Sequence, residues 1–85
     1  MKNKRTKQFN KLFALLPRTV QEQAEAAYQL FKNNPYHPSL HFKRIDSQAP
    51  IYSVRVGRNY RAVGIWEGDT IQWYWIGTHE EYNHL

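Results

Sequence analysis

The C-terminal half of the chain alternates apolar and polar residues in three segments that short turns separate. The segments are residues 51–56, 60–66 and 71–76, all rich in the β-branched and aromatic side chains that favour strands. The sequence EGDT at 67–70 predicts a two-residue turn, and GRN at 57–59 predicts a three-residue turn with Asn59 in the left-handed conformation. With a shorter strand at 41–45, the pattern predicts a twisted, mainly antiparallel sheet of about four strands.

The N-terminal half has the period of helices instead. Apolar residues recur at the i, i+3, i+4 and i+7 positions of one helix face, namely Phe9, Leu12, Phe13 and Leu16. A second stripe, among good helix formers, comprises Val20, Ala24, Ala27, Tyr28 and Phe31. Pro17 separates the two helices, which we expect at 5–16 and 18–33. They should form a hairpin on one face of the sheet, in a single α+β domain of residues 1–85 that ends in a short tail or helix.

The two turns determine which residues share a face of the sheet. The two-residue turn predicts three cross-strand pairs, Trp66–Ile71, Gly64–Trp73 and Ala62–Trp75. The predicted core face is Tyr52, Val54, Val56, Ala62, Gly64, Trp66, Ile71, Trp73 and Trp75, so all three indoles are assigned to the core rather than to base stacking. The other face is predicted to carry Ser53, Arg55, Arg61, Val63, Ile65, Gln72, Tyr74 and Ile76.

The same register places Arg55 directly opposite Arg61. Like charges across an antiparallel pair destabilise it, so this arrangement calls for a compensating anion. A two-residue turn at Arg58 and Asn59 would separate the two arginines and remove the conflict. The sequence alone leaves both registers open.

Composition limits the class of protein. Hydrophobic residues make up 41% of the 85 residues and aromatic residues 15%, enough for one modest core and too much for a disordered chain. The absence of cysteine excludes disulfides and thiolate metal sites. The N-terminal apolar stretch is too short for a membrane or signal segment, so we expect a soluble, cytoplasmic protein. A net charge of +5 indicates a polyanionic partner, nucleic acid or an acidic protein segment, with mere solubility as the alternative.

Several residues of the second half have the chemistry to act on a phosphodiester. Arg55 and Arg61 offer guanidinium forks that match a phosphate gaining charge in its transition state. His79 and Tyr82 follow the last strand, and histidine is the side chain that ordinarily titrates near neutral pH. RNA cleavage by a ribose 2′-OH needs a proton acceptor, a proton donor and cationic stabilisation, and no metal. The candidate RNA-contacting residues around this set are Lys43, Arg44, Arg58 and Tyr74.

These candidates also have plain structural explanations. Three of the cations suit an ordinary solvated surface, namely Lys43, Arg44 and Arg58. His79 could pair with a neighbouring glutamate, and Tyr82 could simply anchor the tail. His37 and His41 are four residues apart, but Pro38 intervenes and no acidic or thiol ligand accompanies them, so no metal site is expected.

The segments NPYHPSLHFKRI, YSVRVGRNYRAVGI and WYWIGTHEEYNHL follow the two helices in this order. Together they resemble the RelE/ParE superfamily of toxins from bacterial type II toxin–antitoxin systems, over almost the whole chain. In the RelE branch the toxin is an mRNA interferase that cleaves ribosome-bound message. The resemblance implies that Arg55 and Arg61 hold the scissile phosphate and that Tyr82 or His79 handles protons or positions a base.

The resemblance also implies no cofactor and a cognate antitoxin as partner. The antitoxin would cover the basic surface, with an interface that includes Val63, Ile65, Tyr74 and Ile76. Two departures leave other functions open, since RelE-type chains begin with a strand, for which MKNKRTKQ leaves little room, and Ser53 stands where RelE has a lysine. The ParE branch shares the fold but inhibits DNA gyrase without the nuclease residues. A degenerate toxin that only binds its antitoxin is a third possibility.

Overall fold

The computed structural model describes residues 1–85 as five strands and three α-helices around one sheet. The elements are β1 (Lys2–Arg5), α1 (Lys7–Ala14), α2 (Arg18–Asn33), a 3-10 turn (Pro38–Leu40), β2 (Lys43–Arg44), β3 (Ile51–Val56), β4 (Tyr60–Glu67), β5 (Thr70–Thr78) and α3 (His79–Tyr82). The strand order is β1-β5-β4-β3-β2, with β1 parallel to β5 and the other pairs antiparallel. The predicted α+β class is confirmed.

The start of the chain differs from the prediction. Residues Lys2–Arg5 form a fifth strand that pairs with β5, where the sequence led us to expect four strands and a helix from residue 5. Thr6 ends this strand and caps α1, because its hydroxyl accepts a hydrogen bond from the amide of Phe9 at 3.0 Å. The leading strand typical of RelE-type chains is therefore present. No helix has both the length and the apolar character needed to cross a membrane.

The core lies between the helices and one face of the sheet. α1 packs on β5 and α2 packs on β3. Phe31 of α2 lies edge-on to Trp73 and to Phe42, with ring centroids 5.4 and 4.9 Å apart. Burial of these aromatic rings contributes much of the driving force for folding, at about 25 cal/mol per Å² of apolar surface. The predicted packing of both helices on one sheet face is confirmed.

The β3–β4 hairpin has the predicted register. Arg55 pairs with Arg61, and Val56 pairs with Tyr60 across a three-residue turn. Gly57, with a φ of 59°, takes the left-handed conformation that we had assigned to Asn59. A glycine adopts that conformation without the clash that a Cβ atom causes, so the turn uses it in preference to asparagine.

The β4–β5 hairpin departs from the prediction halfway along. Two predicted pairs are present, Trp66–Ile71 and Gly64–Trp73. Beyond them Val63 pairs with Trp75, and Tyr74 is the extra residue of a β-bulge. One extra residue reverses the alternation of faces. Trp75 therefore leaves the predicted core face, and Ile76, predicted on the other face, pairs with Ala62 and is buried in the core.

The bulge changes the composition of the face that α1 and α2 leave uncovered. We call this the open face, defined by Ser53, Arg55, Arg61, Val63, Trp75 and Gly77. Its residues differ in exposure to solvent. Ser53 and Val63 are only 1% exposed, whereas Arg55 and Arg61 remain partly accessible. The open face is thus partly covered, and the arginines stand at the uncovered end.

Candidate functional site

Arg55 and Arg61 are cross-strand neighbours on the open face without an acidic partner. Arg55 donates from Nε to the carbonyl oxygen of Gly57 at 3.1 Å, and Arg61 donates from a terminal nitrogen to that of Tyr60 at 2.9 Å. None of the ion pairs in the structure involves either arginine. Burial and the nearby charge of Arg55 lower the pKa of Arg61 from its usual value, although a guanidinium stays protonated at neutral pH. The pair is an uncompensated cationic site.

Helix α3 begins beside this pair and is held by a capping box. The hydroxyl of Thr78 accepts from the amide of Glu81 at 3.0 Å, and the Glu81 carboxylate accepts from the amide of Thr78 at 2.9 Å. The carboxylate also accepts from the hydroxyl of Thr78 at 3.0 Å, and its hydrogen bonds from the Thr78 amide and hydroxyl lower the pKa of Glu81. The amide of His79 also donates to the carbonyl oxygen of Asn59 at 2.7 Å, which ties the helix to the β3–β4 turn. These contacts hold the start of α3 and so give the short helix a defined direction.

Tyr82 is positioned over β3 by Ser53. Its phenol donates a hydrogen bond to Ser53 Oγ at 3.2 Å, and Tyr82 lies close enough to Arg61 to act on the pKa of that guanidinium. From the sequence, Ser53 was placed on the face of the two arginines and noted as the place of a missing lysine, but its role as an acceptor for Tyr82 was missed. Three of the four predicted catalytic residues, Arg55, Arg61 and Tyr82, are thus brought together.

His79, the fourth predicted catalytic residue, is exposed at the start of α3. Its ring lies 6.0 Å from that of Tyr82, centroid to centroid, with an interplanar angle of 27°. It forms no ion pair with either neighbouring glutamate, so the pairing considered from the sequence is absent. His79 is therefore an unpaired imidazole beside the phenol.

Nowhere does the structure bring three His, Cys, Asp or Glu side chains together as metal ligands.

The four predicted RNA-contacting residues are not equivalent. Lys43 pairs with Ser53 across the β2–β3 ladder and so belongs to the open face. Arg44 pairs instead with Tyr52, and its Nε donates to the carbonyl oxygens of two residues of the following loop, Asp46 and Ala49, at 2.9 and 3.2 Å. Of this group, Lys43 is the cation that extends the arginine site along the sheet.

Arg58 and Tyr74 lie at the margins of the site. Arg58 occupies the exposed tip of the β3–β4 turn. Tyr74, the bulge residue, is half-buried, and burial together with the charge of Asp46 raises the pKa of its phenol. Of the apolar residues that we expected at an antitoxin interface, Val63 and Ile76 are 1% and 2% exposed and have little surface to offer.

Trp75 is the open-face residue that the sequence prediction misplaced. Its six-membered ring lies over Gly77, so that a Cβ atom added at Gly77 would be 2.6 and 2.8 Å from two of the ring carbons. Gly77 is in turn the cross-strand partner of Arg61. The indole therefore lies next to the arginine site. The sequence carries only a weak signal for this position of Trp75, namely a glycine two residues after a tryptophan.

Comparison with known proteins supports the resemblance. A family model described as a ParE-like toxin domain matches residues 18–84. Among solved structures, a chain of the RelB–RelE antitoxin–toxin complex from Methanococcus jannaschii is 23% identical, with a TM-score of 0.76, 96% of this chain covered and 98% of that one. YafQ from Escherichia coli BL21(DE3) is 14% identical, with a TM-score of 0.75 and 94% of both chains covered.

A third similar structure is the YoeB/ParE toxin from Agrobacterium tumefaciens, 18% identical with a TM-score of 0.72, covering 93% of this chain and 99% of that one. No curated protein sequence matches the chain. At these identities the structural likeness establishes the fold, and the family model establishes the membership. The chain therefore belongs to the ParE-like toxin domain family, within the RelE/ParE superfamily of toxins from toxin–antitoxin systems.

Proposed function

We propose that the protein is an endoribonuclease toxin that cleaves ribosome-bound mRNA in the cytoplasm. The observation that carries this proposal is the pair Arg55 and Arg61, two neighbouring cations without an acidic partner, beside the fixed phenol of Tyr82. A gyrase-binding surface has no need to hold two like charges together at a cost in stability. A phosphodiester relieves that repulsion, because its anionic oxygens lie between the two guanidiniums.

The proposed chemistry is an internal transesterification. The ribose 2′-oxygen attacks the adjacent phosphorus as its proton leaves, and the bond from phosphorus to the 5′-oxygen breaks. The products are a 2′,3′-cyclic phosphate and a 5′-hydroxyl that has gained a proton. Arg55 and Arg61 stabilise the extra negative charge on the phosphorane oxygens. His79 and Tyr82 are the groups available to take and to give the two protons.

A first test is to express the chain in cells and map the 5′ ends of mRNA. Wild type should produce new ends inside translated messages, and Arg61→Ala should lose most of this cleavage while it remains folded. Arg18→Ala is a matched control, since it removes the same charge from the exposed start of α2. Undiminished cleavage by a folded Arg61→Ala variant would contradict the proposed site.

A second candidate function is inhibition of DNA gyrase without catalysis. Two observations favour it, the description of the matched family as ParE-like and the presence of Ser53 where a cation would strengthen a phosphate site. Purified protein should then reduce supercoiling by gyrase at micromolar concentration, equally in wild type and in Arg61→Ala. If growth, message and supercoiling are all unaffected by expression, the chain is a degenerate toxin that only binds its antitoxin.

The proposed partner in either case is a small acidic antitoxin. The RelB–RelE complexes from Methanococcus jannaschii and Pyrococcus horikoshii contain an antitoxin with the similar toxin. The net charge of +5 and the unpaired arginines of the open face suit an acidic segment. Co-expression with the neighbouring reading frame should yield a complex whose affinity falls steeply as salt is raised. Affinity independent of salt would argue against an acidic contact with these arginines.

A further inference from the structure

Trp75 has a position that the proposed catalytic residues do not explain. The bulge at Tyr74 turns its indole out of the core and onto the open face, where Val63 is its cross-strand partner. The ring extends along β5 over Gly77, within 2.8 Å of the place of a Cβ atom, and Gly77 pairs with Arg61. A half-buried indole, with the Glu81 carboxylate beside its ring over Gly77, thus lies one strand away from the cationic pair.

The other two indoles of the chain are fully engaged. Trp66 donates from Nε1 to the carbonyl oxygen of Gly68 at 3.1 Å, and Trp73 donates to Asn3 Oδ1 at 3.0 Å. Both also pack against aromatic rings of the core. Trp75 makes neither kind of contact. Since no buried side-chain nitrogen or oxygen lacks a partner, its Nε1 is accessible to solvent.

We infer that Trp75 binds a nucleobase, stacking on the base next to the phosphate that Arg55 and Arg61 hold. This inference rests on the proposed function, because it requires a single-stranded RNA substrate at the same site. Every base has a π-face, and stacking on an aromatic side chain contributes strongly to the binding of unpaired nucleotides. Gly77 serves this arrangement because the absence of a side chain lets the indole lie against the strand.

The test uses a short single-stranded RNA with a 2′-deoxyribose at the cleavage position, which prevents attack on the phosphate. Binding to the full chain is measured by fluorescence anisotropy. Trp75→Leu should weaken binding by about tenfold to a hundredfold, and Trp75→Phe, which retains a ring, by about threefold or less. Trp66→Phe is the control, since this indole lies on the opposite face of the sheet. It should leave binding unchanged.

A second oligonucleotide separates stacking from a structural role. It lacks the base at the position adjacent to the cleavage phosphate. Wild type should bind this abasic RNA about as weakly as Trp75→Leu binds the complete RNA, and Trp75→Leu should not distinguish the two. The inference is overturned if Trp75→Leu lowers the affinity for both RNAs by the same factor. It is also overturned if Trp75→Leu binds the complete RNA as tightly as wild type does.

The outcome also separates this inference from the proposed function. Base-dependent binding through Trp75 without mRNA cleavage would retain the stacking site and reject the nuclease. Cleavage with no dependence on Trp75 would reject the stacking site alone. If wild type binds no RNA, the stacking site is rejected, and the mapping of mRNA ends in cells decides the nuclease separately.

Discussion

Tyr82 donates a hydrogen bond to Ser53, 29 residues away in the sequence, and this bond fixes the C-terminal phenol to the strand that carries Arg55. Ser53 is only 1% exposed. If the phenol hydroxyl of Tyr82 is removed and its ring stays in place, the Ser53 hydroxyl therefore has little access to water as a replacement partner. The contact links the last helix of the chain to the cationic pair. Ser53 stands where RelE has a lysine. Because serine is the smaller residue, it leaves room for the phenol of Tyr82 to reach the strand.

We expect Ser53→Ala and Tyr82→Phe each to lower the free energy of unfolding by about 1 kcal/mol, the typical contribution of such a bond. In a double-mutant cycle the combined variant should lose less than the sum of the two, because both remove the same interaction. Urea denaturation measures the stability. Strictly additive losses would show that the bond contributes nothing. In cleavage assays, Tyr82→Phe should be the more damaging change if the phenol also moves a proton.

Gly77→Ala should destabilise the protein, although replacing a strand glycine by alanine usually helps. The new methyl group would overlap the ring of Trp75 at 2.6 to 2.8 Å, and overpacking of this kind costs about 1–3 kcal/mol. Trp75→Leu removes the two ring carbons and leaves only the contact with Glu81 Oε1 at 2.9 Å, so Gly77→Ala should cost less in that background. Thermal unfolding of the four proteins measures the difference. An equal effect of Gly77→Ala in both backgrounds would show that the ring does not occupy this space.

The open-face arginines were predictable, whereas the bulge beside them was not. A three-residue turn and strict alternation determine the pairing of Arg55 with Arg61, and both features are local. The bulge at Tyr74 depends on packing across β4 and β5, and nothing in the alternation of β5 distinguishes Trp73 from Trp75. The strand Lys2–Arg5 is polar throughout and pairs with residues about 70 positions away, so it has no local hydrophobic signal. The contact of Ser53 with Tyr82 is likewise non-local.

Two acidic residues should make stability depend on pH in the same direction. Hydrogen bonds from backbone amides are the main cause that lowers the pKa of both Glu81 and Asp46 in the folded state. A group with a lowered folded pKa stabilises the protein above its unfolded pKa and loses that contribution as the pH falls through the folded value. The free energy of unfolding should therefore decrease as the pH is lowered below about 4.3. Glu81→Gln and Asp46→Asn should each weaken this dependence in urea denaturation.

The capping box at Glu81 should matter for activity. Glu81 closes the box that directs α3, and with it Tyr82, whereas Asp46 lies in the β2–β3 loop. Glutamine can close the same box, so we expect Glu81→Gln to retain RNA cleavage at neutral pH and Glu81→Ala, which removes the acceptor, to reduce it. Asp46→Ala should stay near the wild-type level. Equal activity of Glu81→Ala and Asp46→Ala would show that the cap does not position the phenol.

The repulsion between Arg55 and Arg61 should make the protein respond to phosphate. A bound anion stabilises the folded state by mass action, by about 1.4 kcal/mol at ten times its dissociation constant, which raises Tm by roughly 6–11 °C in a domain of this size. Phosphate should raise the Tm of wild type more than sodium chloride of equal ionic strength does. Arg55→Gln should lose most of this excess, because only one guanidinium remains at the site.

Arg18→Gln is the matched control for this experiment, because it removes the same charge from the exposed start of α2, away from the open face. It should retain the wild-type response to phosphate. General effects of phosphate on hydration act equally on all three proteins, so only a difference between the two variants reports a bound anion. If both variants retain the full excess, the paired arginines do not bind phosphate. The proposed cleavage site then lacks the charge stabilisation on which its chemistry depends.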